Sequence, residues 1–379
     1  MTPAMRWSRV RNLLAIRLDN LGDVLMTTPA LAAIEASLPS ARVTLLASPS
    51  GAALAPHLPQ VDEVVAYRAP WVKQPPSPEA AAAPPGRVDR ELIDRLAARG
   101  FDAAIVFTTC TQSALPAALL CRLAGIPLRL AHCRENPYDL LTDWVAETDA
   151  IGDGMRHEVA RQLALVEAVG YRSADQRLRF ALEADAASSL RAELGRAGID
   201  PTRPYVVVHP GATAPSRRYP AERFGAAADR IARQSGRLIV FSGDAGEVAL
   251  IEQARAAMQL PSASLGGRLE LAQLAALIAG ADLLVSNNSG PVHLAAALGT
   301  PVVDLYALTN PQHTPWQVPA RVLSRDVECR GCLRSRCPQG HHRCIADVRP
   351  DEAVEAARAL LGPAGARLPS SDPLLETPA

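Results

Sequence analysis

Asn288-Ser289-Gly290-Pro291-Val292-His293 has the residue types of a turn that binds an anion. Ahead of it, Ala281 to Ser286 reads as a short buried parallel strand. After it, Leu294 to Leu298 reads as a helix that stops at Gly299, before Thr300-Pro301. Gly290 at such a junction lets backbone amides approach a ligand, and the N–H groups of a helix start favour phosphate oxygens. Pro291 suits the first helical turn because it has no N–H to leave unsatisfied. His293 is expected on that same turn, within reach of the anion. An ordinary α/β turn uses the same residues, so this stretch alone leaves both readings open.

Other loops offer matching chemistry. Gly211 ends a strand at His209-Pro210-Gly211-Ala212, and Arg217-Arg218-Tyr219-Pro220 follows. A glycine turn beside guanidinium groups suits a diphosphate, with Arg217 as the phosphate contact. His209 reads as a hydrogen-bonded strand-end residue and stays outside the catalytic set. Gly243 lets the chain turn in Ser242-Gly243-Asp244-Ala245-Gly246-Glu247, where Asp244 or Glu247 can accept from ribose hydroxyls. Leu265-Gly266-Gly267-Arg268-Leu269 can flank a nucleobase. Neither the dinucleotide fingerprint nor a P-loop is present, which argues against nicotinamide redox chemistry and ATP hydrolysis. Near the N-terminus, Leu18-Asp19-Asn20-Leu21-Gly22-Asp23 follows the first strand. Asp23 can cap the helix that begins at Val24, or it can take a proton from a hydroxyl nucleophile. Asp19 is also near enough, and Gly22 favours access to Asp23.

The elements that must hold these loops form two successive strand–helix alternations. Candidate strands are 13–17, 42–46, 63–67, 102–107 and 128–132, then 205–209, 237–241, 282–286, 301–305 and 321–323. Helices are expected between them, with a restart or kink at Thr28-Pro29. The pattern predicts an α/β chain of two doubly wound, Rossmann-like domains with a cleft beside the carboxyl ends of the strands. The expected divisions are 1–182, a linker 183–204, 205–347, a terminal helix 348–362 and a disordered tail 363–379. Gln74 to Gly86, with its five prolines, is expected to be a surface loop.

The 39 basic and 39 acidic side chains cancel, which argues against a nucleic-acid partner. No apolar run reaches the roughly 20 residues that span a bilayer, and Leu13 to Ile16 is too short for a signal-peptide core. A cytoplasmic protein is expected, with a local patch as the only route to peripheral contact with the inner membrane surface. Cys329, Cys332, Cys337 and Cys344 have a spacing suited to four thiolates around a structural zinc, and His341 and His342 lie among them. Iron–sulfur ligation and disulfides fit less well.

In this order and spacing the motifs resemble glycosyltransferase family 9, the heptosyltransferase-like enzymes of lipopolysaccharide core biosynthesis. The resemblance runs from Leu13 to Leu361. It implies the glycosyltransferase-B fold, an inverting transfer with Asp23 as general base, and no metal or other cofactor in catalysis. It implies a nucleoside diphosphate sugar donor, most often ADP-heptose, and a glycan or lipid-linked glycan acceptor. Arg217-Arg218-Tyr219-Pro220 is similar to the family's Lys-x-Trp-Pro segment, Glu247 falls at the ribose-binding acid, and Leu269 at the residue packed on the base. Asn288 replaces the family's common aspartate, removing one negative charge. Two other classes share these parts: a two-Rossmann nucleotide-sugar epimerase, and a non-catalytic metal- or nucleotide-binding protein.

Overall fold

A computed structural model describes residues 2–73, 84–152 and 154–362. Most of the proline-rich stretch from Gln74 and the tail from residue 363 lie outside the described residues. The chain divides into two units at Ala181/Leu182.

In the first unit, β1 (Asn12–Arg17), β2 (Arg42–Ala47), β3 (Glu63–Ala66), β4 (Ala103–Val106), β5 (Leu128–Cys133) and β6 (Asp143–Ala146) form one sheet, in the order β3-β2-β1-β4-β5-β6. Its ladders are parallel. Leu13 to Ile16 are buried, as expected of a strand covered on both faces. The sequence reading lacked β6, a short edge strand with an exposed Trp144. Asp143 anchors it by accepting from Arg6 Nη2 at 2.7 Å and Trp7 Nε1 at 3.0 Å.

The unit's longer helices are α1 (Leu21–Ser37), α2 (Arg87–Ala98), α3 (Leu115–Leu123) and α4 (Glu158–Glu167). Of the restart or kink expected at Pro29, the restart is absent, and the helix runs through it as α1. Pro29 has no N–H for the carbonyl of Leu25, and Thr28 Oγ1 donates to that oxygen at 2.7 Å. The gap in the helical ladder is thereby filled.

In the second unit, β7 (Tyr205–His209), β8 (Leu238–Phe241), β9 (Ala263–Ser264), β10 (Leu283–Asn287), β11 (Val302–Leu305) and β12 (Ala320–Leu323) are ordered β12-β11-β10-β7-β8-β9. This is again parallel. Both sheets thus have the doubly wound order, which reverses at β1/β4 and at β7/β10, the place where such sheets bind ligands.

The second unit's longer helices are α5 (Ala186–Arg196), α6 (Ala221–Ser235), α7 (Val248–Ala256), α8 (Leu271–Ala279), α9 (Gly290–Leu298) and α10 (Pro350–Leu361). Although α5 falls in the stretch read as a linker, it packs into this unit. Glu193 accepts from Arg268 Nε at 2.5 Å, and Gln273 Nε2 donates to Ser189 Oγ at 2.8 Å. The terminal α10 contributes Val354, Ala357 and Leu361 to the same core as Phe224 and Ile231 of α6. Among the described residues no helix is long and apolar enough to cross a membrane.

Helices α6 and α7 meet at Gly225, where an added Cβ would lie 1.9 Å from the Ala254 carbonyl oxygen. Gly225→Ala should therefore lower the unfolding free energy by about 1–3 kcal/mol, since backbone on both sides must shift. Urea denaturation would measure this, and an unchanged midpoint would contradict the close approach.

Candidate active site

Arg17, at the end of β1, is a fully buried guanidinium. Its Nε lies 3.0 Å from Asp19 Oδ2, its Nη2 3.3 Å from Asp23 Oδ1, and its Nη1 2.8 Å from Glu158 Oε1. Burial works against its charge, but Asp19, Glu158 and Asp23 together raise its pKa further. Asp23 does two jobs: its Oδ2 accepts the Asn20 N–H at 3.1 Å, closing the capping box of α1, and its Oδ1 faces Arg17. Asp19 is pinned by Gln112 Nε2 at 2.5 Å, from the loop after β4 across the strand-order reversal. Burial pushes the Asp19 carboxyl up, and Arg17 offsets only part of that rise.

Sequence reasoning missed Arg17, Gln112 and Glu158. A charge ending an apolar strand was the available signal for Arg17. Glu158 and Gln112 gave none, because only the fold brings them near.

In the second unit, Asn287 ties the strand ends together. Its Nδ2 donates to the Pro210 carbonyl at 2.6 Å and the Gly211 carbonyl at 3.3 Å, while its Oδ1 accepts the Tyr219 N–H at 2.9 Å. This residue too was missed. Arg218 braces its own loop, donating from Nε to the Ala212 carbonyl at 2.8 Å. Arg217 Nε donates to Thr309 Oγ1 at 3.3 Å, from the loop after β11.

Ser289 is the N-cap of α9, yet its hydroxyl donates to the Asn287 carbonyl at 3.2 Å and accepts no N–H from the helix's first turn. No cap side chain of Ser289 therefore covers the first amides of α9, beginning at Gly290. His293 is buried on this helix, with its ring edge-on to His313 at a centroid distance of 6.4 Å. Asn288 Nδ2 donates to the His313 carbonyl at 2.6 Å and to Asp304 Oδ2 at 3.3 Å. Arg217, Asn288, Ser289, Gly290 and His293 are thus brought to one end of the sheet, joined through the loop after β11 that sequence reading passed over.

Gly211, Gly243 and Glu247 are also gathered. Glu247 Oε2 accepts the Asp244 N–H at 3.0 Å, and its carboxylate packs on Gly211, where an added Cβ would lie 2.0 Å from Oε1. Burial pushes the Glu247 carboxyl up. Burial lowers His209 to about 4, so its imidazole is neutral at pH 7 and the 3.6 Å approach to Glu247 is not an ion pair. Gly267 N–H donates to the Gly243 carbonyl at 2.9 Å, which brings the loop carrying Leu269 beside this turn. Leu269 is half-buried and precedes α8, which begins at Leu271.

The clustered cysteines are reduced and half-buried. Cys329 Sγ lies 3.8 Å from His341 Nε2. Among the described residues no group of three or more His, Cys, Asp or Glu side chains is placed to hold a metal ion. Burial and the neighbouring thiols of Cys329, Cys337 and Cys332 raise the Cys344 pKa.

Residues 90–342 match the family described as glycosyltransferase family 9 (heptosyltransferase). The chain is 31% identical to lipooligosaccharide heptosyltransferase 2 of Campylobacter jejuni over 41% of its own length, spanning 50% of that relative. It is 26% identical to lipopolysaccharide heptosyltransferase 2 of Escherichia coli, over 90% of this chain and 96% of that one. The solved E. coli ADP-heptose LPS heptosyltransferase II superposes with a TM-score of 0.70 and 24% identity, covering 92% of this chain and 98% of that one. Asp23 lies outside the residues that the family match covers.

Two substitutions probe the second-unit site. Gly211→Ala would drive a methyl into the Glu247 carboxylate, and a loss of about 1–3 kcal/mol in stability is expected; an unaltered melting temperature would show that Glu247 moves aside freely. Asp304 is fully buried, and burial pushes its carboxyl from 3.8 up to about 8, opposed by the Asn288 hydrogen bond and Arg217. A raised acid favours the protonated fold, so this group's contribution to stability declines as pH rises from about 4 towards 8. Asp304→Asn should remove that decline, and its stability advantage over wild type should widen with pH. A constant difference between pH 4 and 8 would refute the shift.

Proposed function

Because the chain belongs to glycosyltransferase family 9, we propose that it transfers a heptosyl group from ADP-heptose to a hydroxyl of a lipopolysaccharide-type glycan. The observation that carries this reading is the family match across residues 90–342, which takes in Arg217, Glu247 and the whole of Asn288–His293. Family membership also favours transfer over epimerisation. A cytoplasmic site belongs to the same proposal, with peripheral contact at the inner membrane surface through a lipid-linked acceptor.

In this mechanism the donor diphosphate lies at the start of α9. Backbone amides near Gly290, the Ser289 hydroxyl, Arg217 and His293 offset the charge that develops on the leaving group. Glu247 accepts from the ribose, beside the turns at Gly211 and Gly243, and Leu269 packs on the base. Asp23 takes the proton of the acceptor hydroxyl as its oxygen attacks the anomeric carbon. The bond to the diphosphate breaks on the opposite face, and the electron pair leaves with the phosphate oxygen. One displacement inverts the anomeric configuration. In this scheme the amides and the guanidinium do the work a divalent metal would otherwise do. Arg17 aims Asp23 through its 3.3 Å contact with Oδ1, and the capping contact with Asn20 restricts its rotation.

Asp23→Asn retains an oxygen for the Asn20 N–H but cannot take a proton. Its kcat is expected to fall about 100-fold or more, with ADP-heptose affinity within about twofold of wild type. A variant that keeps most of its rate would assign the base role elsewhere. Release of ADP from ADP-heptose should require a glycan acceptor, and acceptor-independent sugar modification would favour the epimerase class instead.

A further inference from the structure

Glu158 has no part in the transfer scheme, yet it is a carboxylate with no exposed surface at the first position of α4. Its Oε1 accepts from Arg17 Nη1 at 2.8 Å and from Gln162 Nε2 at 2.6 Å, and lies 4.0 Å from Arg161 Nη1. Gln162 Nε2 also donates to the Thr108 carbonyl at 2.9 Å, in the loop after β4. A helix start favours a carboxylate in its first turn. One acid is thereby fixed from a strand, a helix and a loop, with no surface for a ligand to touch.

The Arg17 guanidinium is engaged on three sides, Nε with Asp19, Nη1 with Glu158 and Nη2 with Asp23. A planar fork held at Nη1 has its other nitrogens fixed in direction, so Glu158 also orients the group that meets Asp23. Three acids share this one cation, and each receives only part of its charge. Burial pushes the Asp19 carboxyl up, and Asp23 and Glu158 add to that rise. Asp23 stands in the same field: Arg17 and the Asn20 N–H favour its anion, while Asp19 and Glu158 oppose it. Arg161, behind Glu158, is itself paired with Glu147, and Gln112 meets the cluster through Asp19. A carboxylate gripped by a whole guanidinium is a weak base, and one that shares it is a stronger base.

We propose that Glu158 is a positioning residue for the transfer step: it holds the Arg17 guanidinium in the plane that aims Asp23, and its negative charge draws on that cation so that Asp23 remains a competent base. This rests on the reading of Asp23 as the base given above. Gln162 belongs to the same device, since it fixes the Glu158 oxygen that Arg17 meets.

The full chain is tested by NMR titration of isotope-labelled aspartate carboxyls, with Asp23 assigned from its absence in Asp23→Asn. Steady-state turnover of ADP-heptose with lipopolysaccharide core oligosaccharide is measured beside it. Glu158→Gln keeps an oxygen for Arg17 but removes the charge, so the Asp23 midpoint should fall by about one pH unit. The acid limb of kcat, which belongs to Asp19 and Asp23 as a coupled pair, should move down with it. Its plateau should drop about three- to tenfold as the base weakens. Glu158→Asp restores the charge on a shorter stem: the midpoint should return to within about 0.3 pH unit of wild type, while misalignment keeps kcat low. KM for ADP-heptose should stay within about twofold of wild type in both variants. Gln162→Met loosens Glu158 without touching its charge, and should lower kcat about threefold at an unmoved midpoint. Thermal melting checks the fold, and a merely structural role would lower activity equally at every pH. An Asp23 midpoint unchanged in Glu158→Gln would overturn the proposal. If that variant does not fold, wild-type kcat in both Glu158→Asp and Gln162→Met would overturn it. Asp23→Asn that keeps its rate would remove the base reading as well. An inactive Asp23→Asn beside an unmoved Glu158→Gln midpoint would overturn this inference alone.

Discussion

At the middle of each sheet the strand order reverses, and the loops leaving the two central strands diverge with no ladder to hold them. Everything at the sites depends on side chains that tie those loops together. In the first unit Arg17 holds Asp19, Asp23 and Glu158, while Gln112 reaches Asp19 from the loop after β4. In the second, Asn287 uses its amide nitrogen on the β7 loop and its amide oxygen on the Tyr219 N–H. An open crevice at these points is what a ligand needs, and polar side chains keep its walls in place.

The two units meet this demand with different charge arrangements, although burial raises the Asp19 carboxyl in the first as it does Glu247 in the second. The first buries a guanidinium among three carboxylates, so each acid gains a charged partner and the cluster tolerates low polarity. The second site is sparing of charge. Its neutral His209, its raised Glu247 and the isolated Asp304 all reflect burial winning over ionisation. Backbone amides at the start of α9 and the Arg217 guanidinium remain as positive features at this end of the sheet, which suits the diphosphate proposed there.

Close backbone approach is the other recurring device. Gly225 lets α6 press on the carbonyl of Ala254, and Gly211 makes room for the Glu247 carboxylate. The first glycine serves packing and the second serves the site, though both look alike as letters in a helix and a turn. Thr28 shows the converse, where a side chain replaces the hydrogen bond that Pro29 cannot make, and a helix that reads as interrupted stays whole.

Much of this architecture is written locally. Short apolar runs ended by glycine, and helices bounded by capping residues, have patterns set within a few positions, so most of the strands and the two doubly wound halves are legible from the chain alone. So are the turns at Gly211, Gly243 and Ser289-Gly290, because only certain residue types suit a strand-to-helix corner. What lies beyond the sequence is partnership between distant residues: Arg17 with Glu158, Asn287 with Tyr219, and Asn288 with Asp304. The edge strand β6 belongs there as well, since its pairing with β5 and its hold on Trp7 come from other parts of the chain. Local pattern fixes which backbone a segment adopts; side chains acquire their chemistry from neighbours that only tertiary packing supplies.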